Sequence, residues 1–252
     1  ADDLFLRFPA AGKLDYSCTP GPGRPIMRAM SVHSIKLPRM AAMVLAGGRV
    51  GELSVLTLRR PKSALPFGGC YRVIDFALSS LTRAGINNVG ILSQYRPGSL
   101  IDHVGIGESW DFVGLDRGAK ILPPFRGAEA SDWYKGNADA VYQNLNYLRD
   151  QHASVALIVS GDHIYSMDYR ELIRFHLERE ADMTVAFKRM EAHERFGYGL
   201  LDGDNRLVAY EEKPRAPRYD LASLTIYVVN TGPLSDVLGQ LAGRPQVEFG
   251  QD

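Results

Sequence analysis

The stretch AAMVLAGGR, residues 41–49, is an apolar run that ends in two glycines and an arginine. A strand that is covered on both faces has such a near-continuous apolar sequence. Similar short runs recur at Val89–Ser93, Val155–Ser160 and Met183–Phe187, and each is a candidate central strand. Because helical segments alternate with these runs, the pattern predicts an α/β fold, with a mixed, mostly parallel sheet flanked by helices.

Two segments between the apolar runs have apolar residues at steps of three and four, the spacing of one helix face. They are Asp75–Ala84 and Ala138–Leu148, and both are expected to be crossover helices. Asp168 followed by Glu171 resembles a capping box, which predicts the start of a further helix. Shorter strand-like pieces follow at Gly199–Leu201, Leu207–Glu212 and Leu224–Val229.

The first 40 residues differ in composition from the rest of the chain. They contain five prolines and several glycines without sustained periodicity, so residues 1–40 are expected to form a loose N-terminal extension. The remaining residues, 41–252, are expected to form one domain.

Charge and hydropathy exclude some classes of partner. The 252 residues include 29 Lys plus Arg and 29 Asp plus Glu, so the formal net charge is zero. No global basic field exists to gather nucleic acid or an anionic membrane, and neither is an expected partner. The apolar runs are too short to span a bilayer and the N-terminus lacks a signal-peptide core, which favours a cytoplasmic location.

The glycines that end the first run are the first chemical signal. Gly47 and Gly48 lack Cβ atoms, so their backbone N–H groups could approach a phosphate closely. A tight turn is the alternative. Arg59, Arg60 and Lys62 follow, and these cations either clamp a triphosphate or form a solvated basic turn.

Asp162 is the second signal because it follows the apolar run Val155–Val159. Ligands of open α/β sheets bind at the carboxyl ends of strands, which makes Asp162 a candidate Mg²⁺ ligand. An Asp turn or a helix N-cap is the alternative. The adjacent His163 is interpreted as a partnered loop histidine, with a general base as the other possibility.

Two further segments mix polar and aromatic groups. Glu211, Glu212 and Lys213 precede a proline, and such a mixture suits sugar hydroxyls and a phosphate, or simply a surface turn. The segment Trp133–Asp139 places an aromatic pair before a glycine and a helix start, so it either lines a ligand or fills a core.

Together these pieces resemble the glucose-1-phosphate adenylyltransferases within the sugar nucleotidyltransferase family. The resemblance runs from about residue 41 to the last residue. The matching motifs include LAGGR at 45–49, PFGG at 66–69, YRVIDFALS at 71–79, WYKGNADAVYQNL at 133–145, SGDHIYSMDY at 160–169, EKP at 212–214 and EFGQD at 248–252.

The resemblance implies a Rossmann-like domain of the nucleotide-diphospho-sugar transferase type. It implies transfer of an adenylyl group from ATP to glucose 1-phosphate with Mg²⁺, giving ADP-glucose and pyrophosphate, as in glycogen or starch synthesis. Two alternatives stay open: a non-catalytic or regulatory paralogue that binds ATP or sugar phosphate, and a nucleotidyltransferase for another nucleotide or sugar. Assembly into homo- or hetero-oligomers also stays open.

The family's functional positions can be carried over motif by motif. Lys62 would contact phosphates and Asp162 would hold Mg²⁺, and these two are the expected catalytic residues. The expected nucleotide-binding residues are Leu45, Ala46, Gly47, Gly48, Gln94, Gly136 and Asp139. The expected sugar phosphate contacts are Tyr134, Gly197, Glu212, Lys213 and Ser223.

Three departures from the family pattern bear on activity. Glu52 stands where the glycine-rich loop has an arginine, and two unit charges about 4 Å apart interact by roughly 4 kcal/mol at a dielectric near 20. Ser223-Leu224-Thr225 replaces Ser-Met-Gly on the sugar side. The family's second Mg²⁺-binding aspartate and its β-helix would lie past Asp252, so weaker Mg²⁺ binding and impaired turnover are expected.

Overall fold

The computed structural model of the chain describes residues 38–47, 51–124 and 133–250. Gly48 and most of the expected extension lie outside these ranges. The first strand, β1, spans Met40–Leu45, so it begins one residue before the expected domain boundary.

The described residues form ten strands and six α-helices. The strands are β1 Met40–Leu45, β2 Pro66–Phe67, β3 Tyr71–Arg72, β4 Asn88–Leu92, β5 Gly118–Leu122, β6 Val155–Ser160, β7 Met183–Arg189, β8 Tyr198–Leu201, β9 Leu207–Glu211 and β10 Leu221–Asn230. The α-helices are α1 Ile74–Arg83, α2 Gly98–Val104, α3 Asn137–Gln143, α4 Leu145–Asp150, α5 Tyr169–Glu178 and α6 Thr231–Leu241. Short 3₁₀ helices span Gly51–Thr57, Lys62–Ala64 and Glu108–Trp110. None of the helices in the described ranges is long and apolar enough to cross a membrane.

Eight of the strands form a single sheet in the order β5-β4-β1-β6-β10-β8-β9, in which β7 also pairs with β10. The neighbours from β5 to β6 pair in parallel. β10 runs antiparallel to β6, β7 and β8, and β9 runs antiparallel to β8, so six of the eight strands share one direction. This topology confirms the predicted α/β fold with a mixed, mostly parallel sheet.

Helices cover the sheet on both faces. Along β1, Ala42 and Val44 pack into a core with residues of α1, α2 and α5. Ala41 and Met43 alternate with them and pack into a second core with residues of α3, α4 and α6. Because successive side chains of a strand point to opposite faces, a strand between two helical layers must be apolar throughout. The apolar runs of the sequence have this origin.

The helix predicted over Ala138–Leu148 is wrong in one respect, since the structure divides it at Asn144 into α3 and α4. The Asn144 side chain is buried, and its Nδ2 donates to the Ala140 carbonyl at 2.9 Å and to the Tyr134 hydroxyl at 3.0 Å. An asparagine side chain that bonds the backbone of its own helix competes with the regular helical bonds. The apolar spacing predicted the helical face but not this break.

The run Met183–Phe187 was predicted to be a central strand, and the structure corrects this. Among the described residues β7 pairs with β10 alone, and Met183 is 40% exposed. A strand with one neighbour needs less cover than a central strand. Its apolar residues are instead explained by α5, which packs against β7. By contrast, β1, β4 and β6 each have two neighbours, as predicted.

Candidate active site

Three parallel strands end side by side at one edge of the sheet, and predicted site residues follow each of them. Leu45, the last residue of β1, is in register with Leu92 of β4 and Ser160 of β6. Beyond the strands, the Ala46 N–H donates to the Leu92 carbonyl and the Gly161 N–H donates to the Leu45 carbonyl, both at 2.9 Å. The loops after β1, β4 and β6 therefore start next to one another.

Gly47 lies in the loop after β1, against the residues that follow β4. A methyl group built on Gly47 would meet the backbone nitrogen of Gln94 at 3.4 Å, which is within ordinary contact. The packing of the described residues therefore does not require glycine at this position. The expected phosphate contacts of Gly47 and Gly48 stay predictions, and Gly48 lies outside the described residues.

Lys62 and Asp162 form an ion pair at this edge, with 3.2 Å between Nζ and Oδ2. Lys62 begins a 3₁₀ helix, and the next residue, Ser63, donates from Oγ to the Ala46 carbonyl at 3.2 Å. This bond anchors the lysine beside the glycine loop. The Ser160 hydroxyl donates to Oδ1 of Asp162. The two charged side chains are 31% and 28% exposed, so a ligand can reach both of them.

The surroundings of Asp162 favour its charged form. Burial raises the pKa of the carboxyl group, but the neighbouring His163, the Ser160 hydroxyl and Lys62 together lower the pKa below its ordinary value. Asp162 is therefore an anion at neutral pH. The Nε2 atom of His163 lies 3.5 Å from Oδ1 of Asp162, and burial lowers the pKa of this histidine. His163 is thus the partnered loop histidine that the sequence favoured.

Asp162 meets the requirements of one particular kind of Mg²⁺ site. Within the described ranges, no three side chains of His, Cys, Asp or Glu gather closely enough to hold a metal. Mg²⁺ is commonly bound by one or two protein carboxylates while substrate phosphates and waters complete its shell. A single ionised, accessible carboxylate fits that arrangement once a phosphate ligand is present.

Gln94 and Tyr134 lie together at the same edge. The Tyr134 N–H donates to Oε1 of Gln94 at 2.8 Å, and its hydroxyl donates to the Leu122 carbonyl at 2.9 Å. Burial raises the pKa of Tyr134 to about 12, so the phenol remains a donor. Tyr134 is not among the residues that line the sugar-side cavity described below, and its expected sugar phosphate contact stays a prediction.

Gly136 is a glycine that packing does require. Its φ is +139°, and a Cβ atom there would lie 2.1 Å from the carbonyl oxygen of Val247. The Val247 N–H in turn donates to the Lys135 carbonyl at 3.0 Å. Asp139 holds the same turn, because its Oδ2 accepts from the Lys135 N–H and from Gln143 Nε2, each at 2.8 Å. Gly136 and Asp139 therefore have structural roles beside their expected nucleotide contacts.

A cavity of about 90 Å³ opens beside the sheet where β8, β9 and β10 meet the start of α3. Four of the five residues expected to contact the sugar phosphate line it: Gly197, Glu212, Lys213 and Ser223. The other lining residues are Asn137, Arg195, Phe196, Tyr210, Thr225, Tyr227 and Gly250.

The polar groups of this cavity form a connected set. The Tyr210 hydroxyl donates to Oε2 of Glu212 at 3.0 Å, and Nζ of Lys213 lies 3.3 Å from Oε1 of Glu212. Burial raises the pKa of Tyr210, so it stays a donor. A Cβ atom at Gly197 would lie 1.8 Å from the Tyr210 hydroxyl oxygen, so only glycine leaves room for this arrangement. A carboxylate, a phenol and an ammonium group together suit a polyhydroxylated anion.

The segment 247–250, which closes one side of the cavity, was not among the predicted site residues. Oε2 of Glu248 accepts from the Asn137 N–H at 3.0 Å, and the Phe249 N–H donates to Oδ1 of Asn137 at 2.8 Å. The Phe249 ring lies 5.1 Å from the Tyr227 ring. The sequence could have marked these residues as part of the site, because Asn137 and Glu248 both fall in motifs of the family resemblance. Their contact spans more than a hundred positions, which no local pattern indicates.

A sequence model described as nucleotidyl transferase matches residues 41–248, from β1 to the segment that closes the cavity. The chain belongs to the nucleotidyl transferase family. Several curated proteins are similar to this chain. The glucose-1-phosphate adenylyltransferase of Thermotoga sp. (strain RQ2) is 51% identical over 215 residues, which cover 84% of this chain and 51% of the relative. The glucose-1-phosphate adenylyltransferase of Bacillus mycoides (strain KBAB4) is 42% identical over 218 residues, covering 85% of this chain and 58% of the relative. This chain thus spans about half the length of the curated relatives it matches.

A solved structure shares the fold of this chain. A Bacillus anthracis protein assigned as a glucose-1-phosphate thymidylyltransferase, crystallised with sucrose, matches with a TM-score of 0.67 and 22% identity. The match covers 79% of this chain and 74% of that chain. At this identity the likeness concerns the fold, and it agrees with the helix-flanked, mixed sheet.

Proposed function

We propose that residues 41–252 form the catalytic domain of a glucose-1-phosphate adenylyltransferase. Its substrates would be ATP and glucose 1-phosphate, its cofactor Mg²⁺, and its location the cytoplasm. The observation that carries the proposal is the accessible Lys62–Asp162 pair, 3.2 Å apart at the carboxyl ends of parallel strands. The names of the relatives at 42% and 51% identity support the choice of adenylyl group and glucose.

The reaction joins two phosphates and needs no activated side chain. A phosphate oxygen of glucose 1-phosphate attacks the α-phosphorus of ATP and forms a new P–O bond. The bond from the α-phosphorus to the oxygen that bridges to the β-phosphorus breaks, and pyrophosphate leaves with that electron pair. Because the nucleophile is already an anion, no residue has to remove a proton, and the protein's task is alignment and charge neutralisation.

The chain's own groups divide this task between the two half-sites. We assign the triphosphate to Lys62 and the glycine loop, and the base and ribose region to Gln94 and Gly136. The absence of a packing reason for glycine at position 47 supports the loop assignment. On the sugar side, Lys213 would neutralise the phosphate while Glu212 accepts hydrogen bonds from sugar hydroxyls.

Asp162 would hold Mg²⁺ together with the triphosphate, and the bound ion would supply positive charge against the phosphate oxygens. For Asp162 to take a cation, Lys62 has to leave it. A triphosphate offers Lys62 other anionic partners, so nucleotide binding and release of Asp162 are compatible. The ion pair therefore keeps both side chains in place between ligands.

The test is a calorimetric titration of ATP with Mg²⁺, and then of glucose 1-phosphate, followed by a pyrophosphate-release assay. We expect Lys62→Ala to weaken ATP binding at least about tenfold, because it removes a charged contact to phosphate. Lys120→Ala, at an exposed lysine of β5, is the matched control and should bind as the wild type does. A folded wild-type chain that binds neither ligand would overturn the proposal.

A second candidate is a non-catalytic paralogue that binds ATP or sugar phosphate. The observation in its favour is Glu52, which stands where the family resemblance expects an arginine. A wild-type chain that binds both ligands without releasing pyrophosphate would support this candidate. Gain of turnover in Glu52→Arg would then assign the loss to the loop, whereas robust wild-type turnover would exclude the candidate.

A further inference from the structure

His163 lies between the two halves of the candidate site. Its side chain is 32% exposed, and its Nε2 atom lies 3.5 Å from Oδ1 of Asp162. The imidazole also donates a hydrogen bond to the backbone carbonyl of Leu224, a residue of β10. One histidine side chain thus contacts both the candidate Mg²⁺ ligand and the strand that carries the sugar-side cavity.

The bond to Leu224 lies where β10 separates from β6. The two strands pair as far as Ile226, which is in register with Val159. The register of β10 against β7 shifts between Ser223 and Tyr227, so Leu224 belongs to a β-bulge. A bulge interrupts the ladder of backbone bonds, which leaves a carbonyl group to accept from another donor. The imidazole therefore continues the connection between β6 and β10 where their backbone ladder has ended.

The bulge forms part of the wall of the sugar-side cavity. Ser223 and Thr225, the two neighbours of Leu224, both line the cavity. The Ser223 N–H donates to the Gly197 carbonyl at 2.8 Å, which joins the bulge to another lining residue. A ligand held by this wall restricts the backbone at Leu224, and with it the group that His163 binds.

The orientation of Asp162 depends more on His163 once a nucleotide is bound. The Ser160 hydroxyl also contacts the Asp162 carboxylate, and Nζ of Lys62 lies 3.2 Å from it. The proposed function moves Lys62 to the triphosphate, and of these contacts those of Ser160 and His163 then remain to orient the carboxylate for Mg²⁺. The link through His163 therefore matters most when both ligands are bound.

We propose that His163 couples the two half-sites, so that a ligand in the sugar-side cavity tightens the binding of nucleotide with Mg²⁺ at Asp162. This inference rests on the proposed function, because it takes Asp162 and the cavity as the two ligand sites. The first ligand fixes the Leu224 carbonyl and the imidazole that bonds it, so Asp162 has less freedom to lose when the second ligand binds. Coupling between two sites is reciprocal and typically changes affinity by about 5- to 150-fold.

The test is a calorimetric titration of the chain with α,β-methylene-ATP and Mg²⁺, with and without saturating glucose 1-phosphate. The analogue cannot release pyrophosphate, so both ligands stay intact. The ratio of the two dissociation constants is the coupling factor, and titration of glucose 1-phosphate with and without the nucleotide must give the same factor. The variants are His163→Ala, which removes the bridge, and His163→Phe, which keeps an aromatic ring without a donor. His152→Ala, at an exposed histidine, is the control, and thermal melts check that each variant is folded.

We expect a wild-type coupling factor of at least about fivefold, and a factor within about twofold of unity in both His163 variants. His152→Ala should keep the wild-type factor. The affinity for each ligand alone is measured separately, because a merely structural role of His163 would weaken these affinities without changing their ratio.

Three results overturn the inference while leaving the proposed function intact. One is a wild type that binds both ligands without coupling. Another is a His163→Ala variant that keeps the wild-type factor. The third is a His163→Phe variant that keeps it, because ring packing rather than the hydrogen-bonded bridge would then link the two sites. A folded wild type that binds neither ligand overturns the proposed function itself, so the two kinds of failure are distinguishable.

Discussion

His176 is a buried titratable side chain that packs α5 against the sheet, and its neighbours fix its tautomer. Its Nδ1 lies 2.9 Å from Oγ1 of Thr184 and its Nε2 lies 3.2 Å from Oδ1 of Asn230. The Asn230 amide is oriented by its own bond, since Nδ2 donates to the Ala181 carbonyl at 3.0 Å. Nε2 must therefore carry the proton, and Nδ1 accepts from the Thr184 hydroxyl.

This histidine should make stability depend on pH. Burial lowers the pKa of His176, against smaller opposing effects of Asn230 and Asp182. The unfolded chain then binds more protons than the folded chain. The contribution of His176 to the free energy of unfolding is therefore fully present above the ordinary pKa of about 6.5, and it is lost as the pH falls through the folded-state pKa. In urea titrations between pH 5 and 7, His176→Gln should reduce the pH slope of the unfolding free energy by at most about 1.4 kcal/mol per pH unit.

The control for this measurement is His152→Gln, which replaces an exposed histidine. The slope change is measured against this variant, so that the loss of any one histidine is accounted for. An unchanged slope in His176→Gln would contradict the neutral, hydrogen-bonded state deduced for His176.

Thr225, in β10, has a φ of +56°, a left-handed conformation that is strained for a β-branched residue. This strain gives a second prediction for a single residue, this time of stability. Releasing a left-handed conformation is worth about 1–3 kcal/mol, and the added freedom of glycine in the unfolded chain offsets roughly 0.5–1 kcal/mol of it. Thr225→Gly should therefore raise the free energy of unfolding by about 1 kcal/mol. Val208→Gly, at an ordinary φ, should lower it by about 0.5–1 kcal/mol, and denaturant titration of both variants measures the contrast. A Thr225→Gly variant that is destabilised as much as Val208→Gly would show that the strain is absent.

At the scale of elements, the segment 247–250 ties the start of α3 to the sugar-side cavity. Val247 passes so close to Gly136 that no side chain fits between them. Glu248 and Phe249 bond both backbone and side chain of Asn137, and Gly250 reaches the cavity wall. The segment thus connects the expected nucleotide residues with the expected sugar residues.

This close passage predicts a strong effect of a single methyl group. Gly136→Ala should lower the free energy of unfolding by about 2 kcal/mol, because alanine is strained at φ +139° and its Cβ displaces the Val247 carbonyl. Hydrogen exchange should show faster exchange at the Val247 amide, which donates to Lys135. Gly203→Ala is the control, since nothing lies within 4 Å of the added atom and the change should stay within about 0.5 kcal/mol. Unaltered exchange at Val247 would contradict the role of this contact.

The elements also show what the sequence could and could not predict. The apolar runs of β1, β4 and β6 were predictable because burial on both faces requires them. The break at Asn144 was not predictable, because it depends on the bonds of the Asn144 side chain to Ala140 and Tyr134, which a helical periodicity does not contain. For β7, an apolar run fits one neighbour as well as two, so its place in the sheet depended on pairings that are distant in sequence.

The candidate site also has features that the sequence could predict and features that it could not. Lys62 and Asp162 were each recognisable as residues that follow a glycine loop or a strand, but their 3.2 Å contact appears only when β1 and β6 lie side by side. Tyr134 was expected to contact the sugar phosphate, which stays a prediction, and its backbone N–H bonds Gln94, a contact that no motif indicated. Motifs therefore supplied the candidate residues, and the sheet order determines which of them are neighbours.

At the scale of the whole molecule, the two proposed half-sites lie on neighbouring strands of one sheet. The proposed nucleotide half-site follows β6, and the proposed sugar half-site is the cavity built on β10, which pairs with β6 from Ile226 to Asn230. Each half-site has its own lysine, Lys62 on one side and Lys213 on the other. Ligands bound at either half should stabilise the same cooperative fold, but through different side chains.

This arrangement predicts that ligand stabilisation separates by half-site. A ligand at 100 times its dissociation constant should raise the free energy of unfolding by about 2.7 kcal/mol, and a tenfold weaker affinity reduces this gain to about 1.4 kcal/mol. In denaturant titrations, Lys62→Ala should therefore halve the gain from ATP with Mg²⁺ and keep the gain from glucose 1-phosphate. Lys213→Ala should show the reverse, and each variant is the other's control. If either variant lost both gains equally while remaining folded, the two ligands would share one site, and the division of the sheet edge into nucleotide and sugar halves would be wrong.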